Sequence, residues 1–120
     1  MIVGIGTDLI EIKRVLKACE KDSFVNKIYT EEEIKLGKLD KRKFADNFAV
    51  KESISKMIGT GFREVIPKEI EVLRDPLGKP YVNLYGKCLE IAKNLEIDRI
   101  LVSISNTKEY SIAFAVGEKE

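Results

Sequence analysis

The sequence has no histidine and no tryptophan. Without histidine the commonest general base at neutral pH and the commonest transition-metal ligand are both missing. Any bound metal must then be held by oxygen, which favours magnesium or a similar hard cation. There are only two cysteines, Cys19 and Cys88, far apart and without paired-cysteine spacing, so no zinc site or redox motif is suggested. A reduced, cytoplasmic setting is the default expectation. No apolar run approaches twenty residues, and the chain opens directly into Ile2–Gly6 without a basic-then-apolar leader pattern, so no membrane association is expected. Charge of one sign is also lacking: 21 basic and 20 acidic residues leave a net charge of +1, which gives no reason to expect a nucleic-acid-binding protein.

What remains suits one soluble domain over residues 1–120, with a hydrophobic fraction of 44% and a charged fraction of 34%. No linker, internal repeat or low-complexity segment interrupts it. Ile2 to Asp8 reads as a buried strand, and Ile10 to Lys21 as a helix with Ile12, Val15, Leu16 and Cys19 inward. Ser23 to Ile28 reads as a helical turn. Thr30 and Glu33 form a capping-box start, and Asp40 opens a long helix to about Ile58, stopped at Gly59-Thr60-Gly61. Ile70 to Arg74 and Tyr81 to Leu84 flank a turn, Tyr85 to Asn94 forms a helix, and Arg99 to Ser105 with Tyr110 to Val116 forms a closing hairpin. This order predicts an α+β domain with a mainly antiparallel sheet packed with helices.

The richest stretch is Phe48-Ala-Val-Lys51-Glu52-Ser-Ile-Ser-Lys56-Met-Ile-Gly59-Thr-Gly61. At about 100° per residue Glu52 projects among apolar neighbours, and Lys56 follows one turn later on the same side. A charge in such surroundings costs several kcal/mol unless it is neutralised, and a metal ion does this well. An ion pair of Glu52 with Lys51 or Lys56 is the structural alternative. Asp8, at the end of the first strand, reads by itself as a cap for the next helix. Together, Asp8 and Glu52 could hold one hard cation and leave positions for phosphate oxygens and water.

Three other groups are open to two readings. Gly78-Lys79-Pro80 could present backbone amides and a lysine to a phosphate, or be an ordinary hairpin loop. Ser105-Asn106-Thr107 clusters hydroxyl and amide groups at a strand end, as common turns also do. Lys13, Arg14, Lys17 and Lys21 form a basic row that could be simply solvated. Gly4 and Gly6 are too few for a dinucleotide fingerprint.

Taken in order, Gly4-Ile-Gly6-Thr7-Asp8-Leu-Ile-Glu11-Ile12, Phe48-Ala-Val-Lys51-Glu52 with Lys56 and Gly59-Thr-Gly61, Gly78-Lys79-Pro80 and Val102-Ser-Ile-Ser105-Asn106-Thr107 resemble the holo-acyl-carrier-protein synthases. These are the small bacterial-type 4′-phosphopantetheinyl transferases, and the resemblance spans essentially the whole chain. It implies transfer of the 4′-phosphopantetheine arm of coenzyme A to a serine of apo-acyl carrier protein, releasing adenosine 3′,5′-bisphosphate, in support of fatty acid biosynthesis. It implies homotrimers with active sites at subunit interfaces. It further implies magnesium on Asp8 and Glu52, Lys56 near the coenzyme A phosphates, and the 78–80 and 105–107 turns at the nucleotide end. The basic first helix, chiefly Arg14 with Lys13, Lys17 and Lys21, would meet the acidic carrier protein.

Two positions depart from the family pattern, both on the coenzyme A side. Asn106 stands where histidine is usual, and Asn47 where an arginine commonly precedes the Phe-Ala-x-Lys-Glu motif. Asn106 can donate a hydrogen bond but carries no charge. The serine proton would pass to Glu52 or to a metal-bound water that it orients. The rival readings are a non-catalytic carrier-protein or nucleotide-binding module of the same fold and, far behind, a small RNA-binding domain that lacks a basic aromatic sheet face.

Overall fold

The computed structural model describes residues 1–120. Strands β1 (Ile2–Glu11), β2 (Ile70–Arg74), β3 (Pro80–Leu84), β4 (Arg99–Asn106) and β5 (Tyr110–Glu118) are joined by helices α1 (Ile12–Ala18), α2 (Asp22–Ile28), α3 (Glu31–Leu39), α4 (Arg42–Met57) and α5 (Gly86–Asn94), with short 3-10 turns at Gly61–Arg63 and Pro67–Glu69. The α+β expectation holds, but the strands form two antiparallel sheets: β1-β5-β4 and the hairpin β2-β3.

Two boundaries differ usefully from the sequence reading. β1 runs three residues past Asp8, because β5 pairs with it down to Glu11 opposite Tyr110. Asp8 therefore lies within a strand and caps no helix. In consequence α1 begins only at Ile12 and ends at Ala18, so Lys21 falls outside it and precedes α2. The other elements stand close to expectation. Thr30 and Glu33 make the reciprocal capping box, and Gly59, at φ +88°, ends α4 in a conformation costly for any residue with a Cβ.

α4 is the axis of the molecule, with eleven of its sixteen residues buried. Val50, Ile54 and Met57 pack with Val72, Ala113 and Ala115; burying a valine or isoleucine side chain is worth about 1.5–3 kcal/mol. β1 lies directly on α4. A Cβ at Gly4 would strike the Met57 carbonyl, and one at Gly6 the Ser53 carbonyl. These glycines thus permit a backbone-to-backbone approach that larger residues forbid.

Register assigns each strand a face. Gly6–Ala115–Val102, Asp8–Ala113–Ile104 and Ile10–Ser111–Asn106 form rows across the sheet on the α4 side. The opposite face carries Ile5, Leu9, Leu101, Ile112 and Phe114, all exposed. No helix is long and apolar enough to cross a membrane.

Candidate active site

The approach of β1 to α4 brings Asp8 beside Glu52 and Lys56, the pair singled out by helical spacing. Lys56 donates from Nζ to Asp8 Oδ1 at 2.8 Å and to the Thr7 carbonyl at 3.1 Å. The Asp8 side chain is 16% exposed and that of Lys56 is 53% exposed, so the pair sits at the surface end of the helix–strand seam. Glu52 lies one turn before Lys56 and forms no ion pair. Burial, reinforced by the negative charge of Asp8 and only partly offset by Lys56, pushes its carboxyl above the usual range. The hydrogen bond from Lys56 to Asp8 in turn raises the ammonium.

This pair of carboxylates fits a hard cation. The donors are all oxygens, they come from two rigid elements, and Glu52 is held half-buried near a second negative charge without a cation of its own. No cluster of three or more acidic, cysteine or histidine side chains is present, so further ligand positions would fall to substrate oxygens and water.

Lys51, the alternative partner for Glu52, points elsewhere. It is fully buried and donates to Glu33 Oε1 at 2.8 Å, to the Pro67 carbonyl at 2.9 Å, and to the Ile70 carbonyl. Burial works against both charges of this pair and their mutual attraction opposes it. Glu33, legible in sequence only as a capping residue, is the hub of this network. It also accepts from Thr30 N, Val72 N and Asn47 Nδ2.

Asn47 is placed differently from the expectation that it faces coenzyme A. It is 1% exposed, with Nδ2 spent on Glu33 and the Val72 carbonyl, and its Oδ1 is buried without a partner. The 105–107 segment diverges, as strand alternation requires. Ser105 faces outward in the row of Leu9 and Ile112, whereas Asn106 faces α4. There Asn106 Nδ2 donates to both oxygens of Asp46, at 3.0 and 3.2 Å, and Ser111 Oγ donates to Asp46 Oδ1 at 2.7 Å. Thr107 Oγ1 accepts from the Glu109 and Tyr110 amides and closes the hairpin. Within one chain neither Asn106 nor the exposed Gly78-Lys79 turn is bonded to the Asp8–Glu52–Lys56 cluster. The 78–80 turn is braced by Asp75, whose Oδ1 accepts from the Leu77 and Lys79 amides.

The basic row is exposed on α1, where Lys13, Arg14 and Lys17 line a 660 Å³ groove with Lys41 and Phe44, while Lys21 lies beyond it. Beside it, Leu9, Val15, Phe24 and Phe48 line a smaller, apolar pocket reached by Arg14. The Phe24 and Phe48 rings lie 6.3 Å apart. In the sequence Phe48 stood out only as an apolar neighbour of Glu52. Its position one turn before Glu52 was the signal that it adjoins the site.

A family model described as the 4′-phosphopantetheinyl transferase superfamily matches residues 4–115. The chain belongs to that superfamily. It is 63% identical over 118 residues to a holo-[acyl-carrier-protein] synthase of Lachnoclostridium phytofermentans, covering 98% of this chain and 97% of the relative. Among solved structures, the Neisseria meningitidis holo-[acyl-carrier-protein] synthase superposes with a TM-score of 0.88 at 34% identity, over 99% of this chain and 100% of that one. The Bacillus anthracis synthase in complex with CoA (3′,5′-ADP) gives 0.82 at 36% identity, over 100% and 99%. The match thus spans Asp8 on β1, Glu52 and Lys56 on α4, and the 78–80 and 105–107 turns.

Proposed function

We propose that this protein transfers the 4′-phosphopantetheine arm of coenzyme A to a serine hydroxyl of an apo-acyl carrier protein, releasing adenosine 3′,5′-bisphosphate. The observation that carries this reading is the gathering of Asp8, Glu52 and Lys56 at one open seam in a chain of this superfamily. In the reaction the serine oxygen bonds to the β-phosphorus of the coenzyme A pyrophosphate. The bond from that phosphorus to the bridging oxygen breaks, and the bisphosphate leaves with the electron pair. The serine proton would pass to Glu52, held half-buried beside Asp8, or to a water that it orients. Lys56 carries the exposed positive charge that would meet the leaving phosphate. A magnesium ion held by Asp8 and Glu52 would supply charge neutralisation for the pyrophosphate.

The carrier protein would dock on α1. Lys13, Arg14 and Lys17 offer positive charge to an acidic partner, and the Phe24–Phe48 pocket offers an apolar seat close to Asp8. Homotrimer assembly is supported by the exposed sheet face of Ile5, Leu9, Leu101, Ile112 and Phe114, a contiguous apolar surface of the kind that marks interfaces. Ser105 lies on that face, so assembly would carry the 105–107 segment towards a neighbouring subunit. The two free cysteines suit a cytoplasmic setting.

The test is the intact mass of an apo-acyl carrier protein incubated with this protein, coenzyme A and magnesium, with and without a chelator. One added phosphopantetheine, abolished by chelation, is the expected result. No addition with folded protein across several carrier proteins would replace the transferase by a binding module of the same fold.

A further inference from the structure

The ion pair of Lys56 with Asp8 stands between two of the roles proposed for this site. Asp8 would hold the cation and Lys56 would meet the leaving phosphate, yet each is spent on the other. Lys56 Nζ donates to Asp8 Oδ1 at 2.8 Å and to the Thr7 carbonyl at 3.1 Å, and it is the one hydrogen-bond donor to the Asp8 carboxylate. Glu52, half-buried beside Asp8, has no ion pair of its own. With both carboxylates ionised, the single ammonium leaves the three side chains with an excess of negative charge, which repels a pyrophosphate. A divalent cation held by Asp8 and Glu52 reverses that sign. Ammonium and cation seek the same carboxylate and repel each other at close range, so both effects drive Lys56 off Asp8. Release is easy. The Lys56 side chain is 53% exposed on a flexible stem, and exposed ion pairs contribute little net stability. The Lys51–Glu33 pair, with both side chains at 0% exposure, has no such freedom.

We infer that Lys56 is the internal counter-ion of the cation site: it holds Asp8 until a divalent cation takes Asp8 and Glu52 together, and only then turns its charge to the substrate phosphates. The site thereby attracts a polyanion only after the cation is in place. The inference rests on the two-carboxylate cation site of the transferase reading, and its experiment separates the two.

The test is NMR of isotope-labelled protein, in which a coupling across the hydrogen bond joins the Lys56 ammonium nitrogen to the Asp8 carboxyl carbon. The Lys56 signal is assigned by its loss in Lys56→Met. The coupling should be present without metal and vanish on saturation with magnesium. A coupling that persists at saturation, or that is absent from the start, overturns the inference; magnesium-dependent transfer by the same preparation then leaves the transferase reading standing. Carboxyl carbons of Asp8 and Glu52 that do not shift with magnesium overturn both the inference and the cation site. Manganese affinity, read by electron paramagnetic resonance and independent of activity, should be about fivefold tighter in Lys56→Met than in the parent, the factor one exposed ion pair is worth. Lys56→Arg, which keeps the charge and can keep the contact, should bind manganese no more tightly than the parent. An unchanged affinity in Lys56→Met, or an equal gain in Lys56→Arg, overturns the competition for Asp8.

Discussion

Two lysines five positions apart on α4 each meet a carboxylate from another element at 2.8 Å, and the two pairs do opposite work. Lys51 and Glu33 are sealed at 0% exposure, and every donor of the ammonium is spent on Glu33 or a backbone carbonyl. Lys56 is 53% exposed over an Asp8 side chain that is 16% exposed, and beside them Glu52 holds a half-buried charge with no ion-pair partner. The first pair ties α3, α4 and β2 together. The second leaves charge and coordination capacity available to a substrate. Bond completeness and exposure, rather than residue type or distance, separate structure from chemistry here.

Breaking the closed pair should give the largest effect. Lys51→Met leaves Glu33 buried and unpaired, and should cost about 3–5 kcal/mol in urea unfolding. A loss under 1 kcal/mol would mean that the network is not what holds α4 to β2. Next comes the docking helix. Arg14→Glu should raise the KM for carrier protein about tenfold while leaving that for coenzyme A unchanged, with the difference shrinking as salt rises. Equal KM values would return α1 to a merely solvated face. The smallest effect sharpens the contrast from the open side. Lys56→Met should change stability by no more than about 1 kcal/mol, because its ion pair is exposed, even though turnover falls. A penalty matching that of Lys51→Met would erase the distinction between the pairs.

The pH dependence of Glu52 follows from its sign. A carboxyl raised in the folded state binds its proton more tightly folded than unfolded, so ionisation destabilises the fold. Metal-free Glu52→Gln should therefore melt at the same temperature as the parent or slightly above it at neutral pH. The advantage should disappear below the unfolded carboxyl range, about pH 4.

Much of this was legible in the chain itself. A carboxylate set among apolar residues, a lysine one turn on and two glycines in the first strand predict the seam of Asp8, Glu52 and Lys56. The burial of Asn47 was encoded as well: Asn47, Lys51 and Ile54 recur at helical spacing on one face, and that face is the core. The opposite directions of Ser105 and Asn106 follow from strand alternation. The hubs were hidden. Asp46 meets residues sixty or more positions away, and Glu33 gathers donors from three separate elements, so no local pattern marks either. Likewise the end of β1 depends on pairing with β5, which propensity within residues 2–11 does not contain.

Glu52→Gln tests the central claim most directly, with the intact mass of carrier protein and the melting temperature measured on the same preparation. The account expects a folded protein, melting at or slightly above the parent, whose transfer rate has dropped at least a hundredfold. Near-parent transfer by the folded variant would contradict it, and would show that the unpaired carboxylate of α4 is not where the chemistry occurs.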